Sequence, residues 1–390
     1  MLPQGEWQPP SETERDLYAA KLRGDWPGYF DVLAVADLWH AMPRAFVEAN
    51  PGRRRYTPTP WGHGPGVLVF LTSGMLPHPE PDPVFFTVDL GDLVEDWSHH
   101  DVWLAVNPGS PCEAYFPATP EHRRRWRWHA DAAEGHSRKG RLRTLWSGGV
   151  LHGPLAHGLA CGALLCVANG SFWNAMGWHG RGFNAERRRL SEWWGIRSRQ
   201  DWQLRQKELL ADDVGDSLWE TVLGVRAAMA RELGGHVEVD HWRQVTEGLL
   251  RSRGPDGPAP DRLVAGAQRV IGRITRYEAR FRADGLLRPG GFVGSVDAWF
   301  YGRAAKMARW GLGARYCSVE EAEEAVLEAG RLSRLAYSSW EAFSAGYVLG
   351  RCLHFDDEEF GHWYADMLAA HRTLTTDPDS PWLNIPFNSP

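Results

Sequence analysis

The clearest hydrophobic pattern in the chain lies in residues 296–355, where apolar residues recur at helical spacing in three successive stretches. Ser318 followed by Glu321, and Ser338 followed by Glu341, have the spacing of capping boxes. In a capping box the serine oxygen accepts from a backbone N–H while the glutamate reaches back to another. The pattern therefore predicts three helices in series, two of them with defined starts.

The first and third of these helices each carry a stripe that mixes aromatic rings with cations, and the third also includes hydroxyls. On the first helix, the stripe consists of Trp299, Arg303, Lys306 and Trp310. On the third helix, spacings of four, three and four residues align Trp340, Ser344, Tyr347 and Arg351. From these two stripes we take the candidate ligand-binding residues Arg303, Trp310, Trp340, Tyr347 and Arg351.

The two arginines of this candidate set have two alternative roles. An arginine flanked by aromatic rings can hold a carboxylate or a phosphate with two parallel hydrogen bonds. Alternatively, Arg303 and Arg351 form buried ion pairs with Glu320 or Glu324 of the middle helix and lock the three helices together. We favour the ion pairs, because structural networks use the same residue types as binding sites do.

Two glycines of the third helix predict close packing. Gly346 and Gly350 lie four residues apart, and glycine costs about 1 kcal/mol relative to alanine inside a helix. A pair of them at this spacing indicates that another helix approaches closely.

Four motifs follow one another in a distinctive order in the C-terminal half: AWFYGRAAKMARWG, SSWEAF, YVLGR and SPWLNIPF. This order resembles the bacterial domain-of-unknown-function family 1266 over roughly residues 194–387. The resemblance implies a fold and no mechanism, since no activity is established for the family. Phe300 stands where the family usually has aspartate, with Asp297 the nearest acid, and Arg315 stands where it tends to have glycine. If the family uses that aspartate for chemistry, this chain has lost it.

The N-terminal part alternates helical and strand patterns. A helix is predicted over residues 11–23, and strands over Gly66–Ser73, Phe85–Leu90 and Val102–Ser110, each ending in turn residues. The order of these elements resembles the SseB N-terminal domain, an α+β fold, over roughly residues 16–117. No catalytic residues are established for that domain, so the resemblance implies none here.

The predicted fold class is α+β, in three parts. Residues 11–120 form a small α+β domain, residues 121–145 a basic connector, and residues 146–390 a larger, mainly helical domain. The apolar run at 151–170 carries His152 and His157 among glycines, which predicts a buried segment and no membrane span.

The connector has the composition of a site for nucleic acid or another polyanion, because cations are interleaved with aromatic rings. The candidate residues for such a site are Arg123, Arg124, Arg125, Trp126 and Arg127. The alternative is a helix whose arginines face water or pair with acidic neighbours. We favour this alternative, and the net charge of −6 gives no overall electrostatic attraction to nucleic acid.

Composition and motifs also bear on the location of the protein, the state of its cysteines and its capacity to bind a metal. The first ten residues lack the basic and apolar regions of a signal peptide, so we expect a cytoplasmic protein with its five cysteines reduced. The 21 tryptophans are more typical of packing than of ligand cages. The stretch from His354 to His362 is rich in acids but has no HExxH pattern. We expect no metal and no cofactor.

No catalytic motif is recognisable, since the chain lacks a GxSxG elbow, a P-loop and a dinucleotide fingerprint. Our first hypothesis is a non-catalytic bacterial protein that binds another protein, as a regulator or as a conflict-system component such as an immunity factor. The alternative is an enzyme or sensor for a small anionic metabolite bound by Arg303 and Arg351. An open pocket lined by these residues and Tyr347 would favour the alternative, and a sealed ion-pair network the first hypothesis.

Overall fold

The structure is a computed structural model of the 390-residue chain. It describes the chain in ten segments: 7–50, 53–59, 66–77, 82–97, 102–133, 140–146, 148–177, 182–211, 218–253 and 258–388. The proline- and glycine-rich sequence of Arg253–Asp261 predicts a loop, and this prediction falls in part outside these segments.

The N-terminal part combines helices with five short strands. In chain order its elements are α1 (Glu12–Arg23), α2 (Trp26–Val35), β1 (Leu38–Met42), α3 (Arg44–Ala49), β2 (Gly66–Phe70), a 3-10 turn (Ser73–Met75), β3 (Val84–Val88), α4 (Leu90–Asp96), β4 (Val102–Val106), β5 (Ala114–Pro117) and α5 (Pro120–Ala132). β1 pairs antiparallel with β3, so that Leu38 lies opposite Val88. β4 is the middle strand of a second sheet, parallel to β2 and antiparallel to β5.

In the segments described, the C-terminal part is built of helices joined by loops. Its elements are α6 (Gly153–Cys161), α7 (Ala163–Asn169), α8 (Phe183–Trp194), α9 (Arg199–Leu210), α10 (Leu218–Leu233), α11 (Val239–Arg253), α12 (Pro258–Ala283), α13 (Asp297–Gly313), α14 (Val319–Ala336), α15 (Trp340–Phe355), α16 (His362–Thr376) and α17 (Pro381–Asn384). The chain is therefore an α+β protein, with its strands confined to the first third, as the sequence predicts.

α13 is the centre of the helical part. Most of its residues are buried, and it contacts α6, α7, α8, α9, α14 and α15. The close approach predicted for Gly350 is confirmed, because a Cβ built there would lie 2.8 Å from the Cβ of Trp299 on α13. Gly346 faces the chain just before α13, where a Cβ would lie 2.6 Å from the carbonyl oxygen of Ser295.

Three serine–acid spacings in the sequence predict helix starts: Ser318, Ser338 and, before α9, Ser198 with Asp201. Ser318 caps α14 and Ser198 caps α9, each through a capping box, as predicted. The prediction for α15 is wrong by one residue: Ser339, not Ser338, has the extended backbone of an N-cap and accepts from the amide of Ala342. Two serines in succession offer two registers for the cap, and the local sequence does not distinguish them.

The predicted strands are present but shorter than expected, and β1 and β5 were not predicted. The apolar run at 151–170 is buried as predicted, because it forms α6 and α7 within the helical core. Of the helices that the structure describes, none combines the length and the apolar character needed to span a membrane. The division of the chain at residues 120 and 145 stays a prediction.

Candidate functional site

Arg303, Tyr347 and Arg351 lie together where α13 packs against the C-terminal half of α15. The charges of Tyr347 and Arg351 both act on the guanidinium of Arg303. The Tyr347 ring fits because residue 302 is glycine, since a Cβ there would lie 2.6 Å from Cε2 of that ring. Three of the five predicted ligand-binding residues are therefore brought to one place.

Both guanidinium groups of this site lie over aromatic rings. The central carbon of Arg303 is 3.6 Å from the ring centroid of Trp299 and 5.4 Å from that of Trp194, and the carbon of Arg351 is 4.8 Å from the ring of Trp363. These distances place both cations within cation–π range. Sequence reasoning missed Trp194 and Trp363, which lie on α8 and α16, because helical spacing does not show which distant helices meet.

Neither arginine of the site has a carboxylate partner among the described residues. The structure shows no ion pair and no hydrogen bond for Arg303 or Arg351, and the Nε atom of each is buried without a partner. The ion pairs predicted with Glu320 and Glu324 are wrong, because both glutamates lie exposed on the outer side of α14.

Electrostatics at this site favour an incoming anion. Burial lowers the pKa of Arg303 to about 10, and the charges of Arg205 and Arg351 act in the same direction. Arg303 is therefore still a cation at neutral pH. Burial also raises the pKa of Tyr347, whose hydroxyl is buried without a hydrogen-bond partner. An anionic group placed here would receive donors from two guanidinium groups and a phenol, each of which otherwise lacks an acceptor.

Other cations on α13 differ from Arg303 because their terminal nitrogens have hydrogen-bond partners inside the core. Arg309 donates to the carbonyl of Phe172 at 2.6 Å, and Lys306 contacts the hydroxyl of Ser171 at 2.6 Å. Burial by itself would raise the pKa of the Cys166 thiol, but the charges of Lys306 and Arg309 outweigh it and lower that pKa. This inner cluster is sealed from solvent, whereas Arg303 and Arg351 are partly exposed.

The remaining two candidates lie outside this group of three. Trp310 packs against Trp194 and lies under the guanidinium of Arg189 at 5.0 Å. Trp340, at the opposite end of α15 from Arg351, stacks on Trp382 and donates to the carbonyl of Ile385 at 2.8 Å. The helical stripe that joined Trp340 to Arg351 in the sequence therefore spans two different surroundings.

The candidates for a nucleic-acid site lie on α5, which packs against α2 and α4. Trp126 is fully buried in the N-terminal core and offers no ring for stacking on a base. Arg123 donates to the carbonyl of Trp97, and Arg125 pairs with Glu121.

We expect the full chain to bind single-stranded oligonucleotides only weakly and with strong salt sensitivity, because few cations of α5 are free to contact phosphates. A gel shift at physiological salt checks this. The prediction fails if a tight complex forms there and disappears on replacing Arg123, Arg124 and Arg125 by alanine.

Two further regions of the described structure group charged residues: a cleft beside α1, α4 and α5, and the acidic stretch near His354. The cleft, of about 1090 Å³, has more acids than cations in its lining, among them Glu12, Asp37, Asp92, Asp377 and Asp379. In the segments described, no three His, Cys, Asp or Glu side chains are grouped so that they could hold a metal ion. Near His354, Asp356 instead accepts from the hydroxyl of Tyr277 at 2.9 Å.

Fold and site together define an α+β protein whose larger, helical region surrounds α13 and presents two arginines without carboxylate partners at its surface. A family model described as "Protein of unknown function (DUF1266)" matches residues 189–387, and the chain belongs to this family. The C-terminal resemblance seen in the sequence is thereby confirmed. No curated protein and no solved structure matches the chain.

Arg315, one of the two departures expected from the resemblance, lies in a left-handed backbone conformation. Its φ is 57°, just beyond α13. Glycine adopts this left-handed conformation without steric cost. Here the arginine side chain lies over Phe183, with its central carbon 3.2 Å from the ring centroid.

Proposed function

We propose that this protein binds a small anionic metabolite through Arg303, Tyr347 and Arg351. The observation that carries the proposal is the absence, among the described residues, of any acceptor for the two guanidinium groups and for the buried phenol between them. A structural ion-pair network was the competing explanation, and its predicted partners face solvent. The proposal thus follows the second sequence-based hypothesis in preference to the first.

The chemistry of the donors indicates the kind of ligand. Two guanidinium forks can each bind a carboxylate or phosphate in a bidentate manner, and a phenol O–H adds a third donor. The indoles of Trp299 and Trp194 provide an apolar wall. The ring centroid of His354 lies 5.0 Å from that of Trp299. Burial and the charge of Arg303 lower the pKa of His354, so its imidazole is mainly neutral at pH 7. These groups bind and orient an anion; we assign none of them a catalytic role.

A thermal-shift screen tests the proposal with dicarboxylates, tricarboxylates, sugar phosphates and nucleoside monophosphates as probes. We expect at least one class to raise the melting temperature of the full chain by several degrees, since a ligand that binds only the folded state stabilises it. The double variant Arg303→Gln, Arg351→Gln should lose this shift. By isothermal titration its affinity for the same probe should fall by a factor of about 100 or more, from the loss of two charged hydrogen-bonding groups.

The variant Arg251→Gln is the matched control for this screen. Arg251 lies exposed on α11 and pairs with Glu247 and Asp261, so its replacement removes surface charge far from the site's aromatic rings. It should respond to the probes as the unmodified protein does. Probes that stabilise the double variant as strongly as the unmodified chain would contradict the proposal.

The stability of Arg351→Ala separates the two roles of this arginine. No carboxylate loses its partner in this variant, so it should keep its melting temperature to within about 3 °C. It loses the contacts of the guanidinium with the rings of Trp363 and Phe355, and it relieves repulsion from Arg303. A fall of 10 °C or more in scanning calorimetry would instead show a structural partner.

The source of the protein, its location, the relationship of its N-terminal part and a protein-binding role are further parts of the proposal. We propose that the protein is bacterial and cytoplasmic, and that its N-terminal part is related to the SseB N-terminal domain. A protein-binding role in regulation or in a conflict system would then use the anion as a signal. Pull-down with and without the stabilising probe tests that role.

A further inference from the structure

A second, smaller cavity lies at the other end of α15 from Arg351. Its volume is about 170 Å³, and it lies between the first turn of α6, the end of α14 and the residues that follow α17. Its wall includes His152, Pro154, His157 and Arg334. Since a helix rises about 1.5 Å per residue, α15 separates this cavity from Arg351 by roughly 16 Å along its axis.

The imidazole of His157 is the most unusual group in the wall of this cavity. The residue is only 2 % exposed, and neither ring nitrogen makes a well-aligned hydrogen bond, although the ring interacts with the backbone of Phe387. Its orientation is fixed by Trp340 and Phe387, whose ring centroids lie 4.9 Å and 5.4 Å away. Buried polar groups almost always have partners, so a fixed imidazole without a well-aligned hydrogen bond indicates a missing acceptor or donor.

Positive charge surrounds this imidazole. Arg334 is half-buried and has no ion pair or hydrogen bond among the residues that the structure describes. Burial first, and then the charge of Arg334, lower the pKa of His157 to about 4, and the nearby backbone of Phe387 offsets this in part. The imidazole is therefore neutral at pH 7 and keeps one N–H to donate.

The start of α6 adds a third source of positive potential. His152 is the N-cap residue and makes no side-chain cap, and Pro154 lies in the first turn. The backbone N–H groups at a helix start carry partial positive charge and favour anions. An arginine, a donor imidazole and a helix start thus converge on one small cavity.

We propose that this cavity binds a phosphate group, either inorganic phosphate or the phosphate of a small monoester. Arg334 binds two of its oxygens, His157 donates to a third, and the first turn of α6 faces the remaining charge. The size fits, because a cavity of about 150 Å³ holds a benzene molecule, which is larger than phosphate. This site is independent of the one at Arg303 and Arg351.

Titration of the full chain with inorganic phosphate at pH 7 tests the site, with histidine-selective NMR as the direct readout. We expect saturable binding that shifts the ring resonances of His157. Arg334→Gln and His157→Gln should each weaken the affinity at least tenfold. Arg251→Gln, at an exposed residue of α11 that belongs to neither site, should leave it unchanged.

A sugar phosphate titrated in parallel distinguishes the source of the phosphate group. Tighter binding of the monoester assigns the cavity to an ester, and tighter binding of the inorganic ion assigns it to free phosphate. Unmoved His157 resonances, or an affinity that Arg334→Gln does not change, would overturn the proposal. Arg334 is half-buried and without partners, so this variant decides the matter even if His157→Gln does not fold. Loss of binding in Arg351→Gln alone would place the phosphate at the other site and also overturn it.

Discussion

Replacing Arg226 by alanine should lower the free energy of unfolding by about 3–5 kcal/mol, the usual cost of breaking a buried ion pair. Arg226 on α10 donates to both carboxylate oxygens of Glu278 on α12, at 3.0 and 2.7 Å, and both residues are almost fully buried. It also donates to the carbonyl of Val293 at 2.7 Å and lies over the ring of Trp242. The variant leaves the Glu278 carboxylate in the core without its cation.

Thermal unfolding of the full chain measures this loss, which should lower the melting temperature by roughly 6 °C or more. The double variant Arg226→Met, Glu278→Leu should recover most of the stability, because it removes both charges together. The same truncation of an exposed arginine, Arg251→Ala, should change the free energy of unfolding by less than about 1 kcal/mol. If the Arg226 and Arg251 single variants unfold at the same temperature, the buried pair does not stabilise the helical part.

Gly158→Ala should destabilise the protein by about 1–3 kcal/mol, because α6 and α14 touch at this residue. A Cβ at Gly158 would lie 2.2 Å from the carbonyl oxygen of Val326 and 2.7 Å from its Cγ1. The carbonyl belongs to the backbone of α14 and moves only if the two helices separate. Alanine gains about 1 kcal/mol of helix propensity over glycine, which is too little to offset that separation.

The same substitution at Gly224 is the matched control, with the opposite expected sign. Gly224 lies exposed on α10, and a Cβ there would have no neighbour within 4 Å. Gly224→Ala should therefore raise the stability, by up to about 1 kcal/mol. Chemical denaturation of both variants decides between packing and propensity: two changes of the same sign would show that the α6–α14 contact does not control the effect.

The central helices and their starts could be predicted from the sequence because the evidence for them is local. A serine and an acid three residues apart cap α14 and α9, as Ser318 and Ser198 show. The glycine spacing in α15 likewise indicated a close helix approach before its partner was known. These patterns depend on neighbours within one or two turns, where the geometry of the chain fixes the distances.

Which cation pairs with which acid was decided only by the tertiary structure. The sequence suggested Glu320 or Glu324 for Arg303 and Arg351, yet the buried pair of the helical part joins Arg226 to Glu278. Likewise, the sequence placed His157 in a buried segment but did not show that its imidazole lies there without a well-aligned hydrogen bond. Such contacts join residues far apart in the chain and depend on which helix faces meet. The sequence by itself thus determined the helices, their caps and the residue types on their faces, whereas the packing of α13, α14 and α15 decided which arginines were left without acceptors.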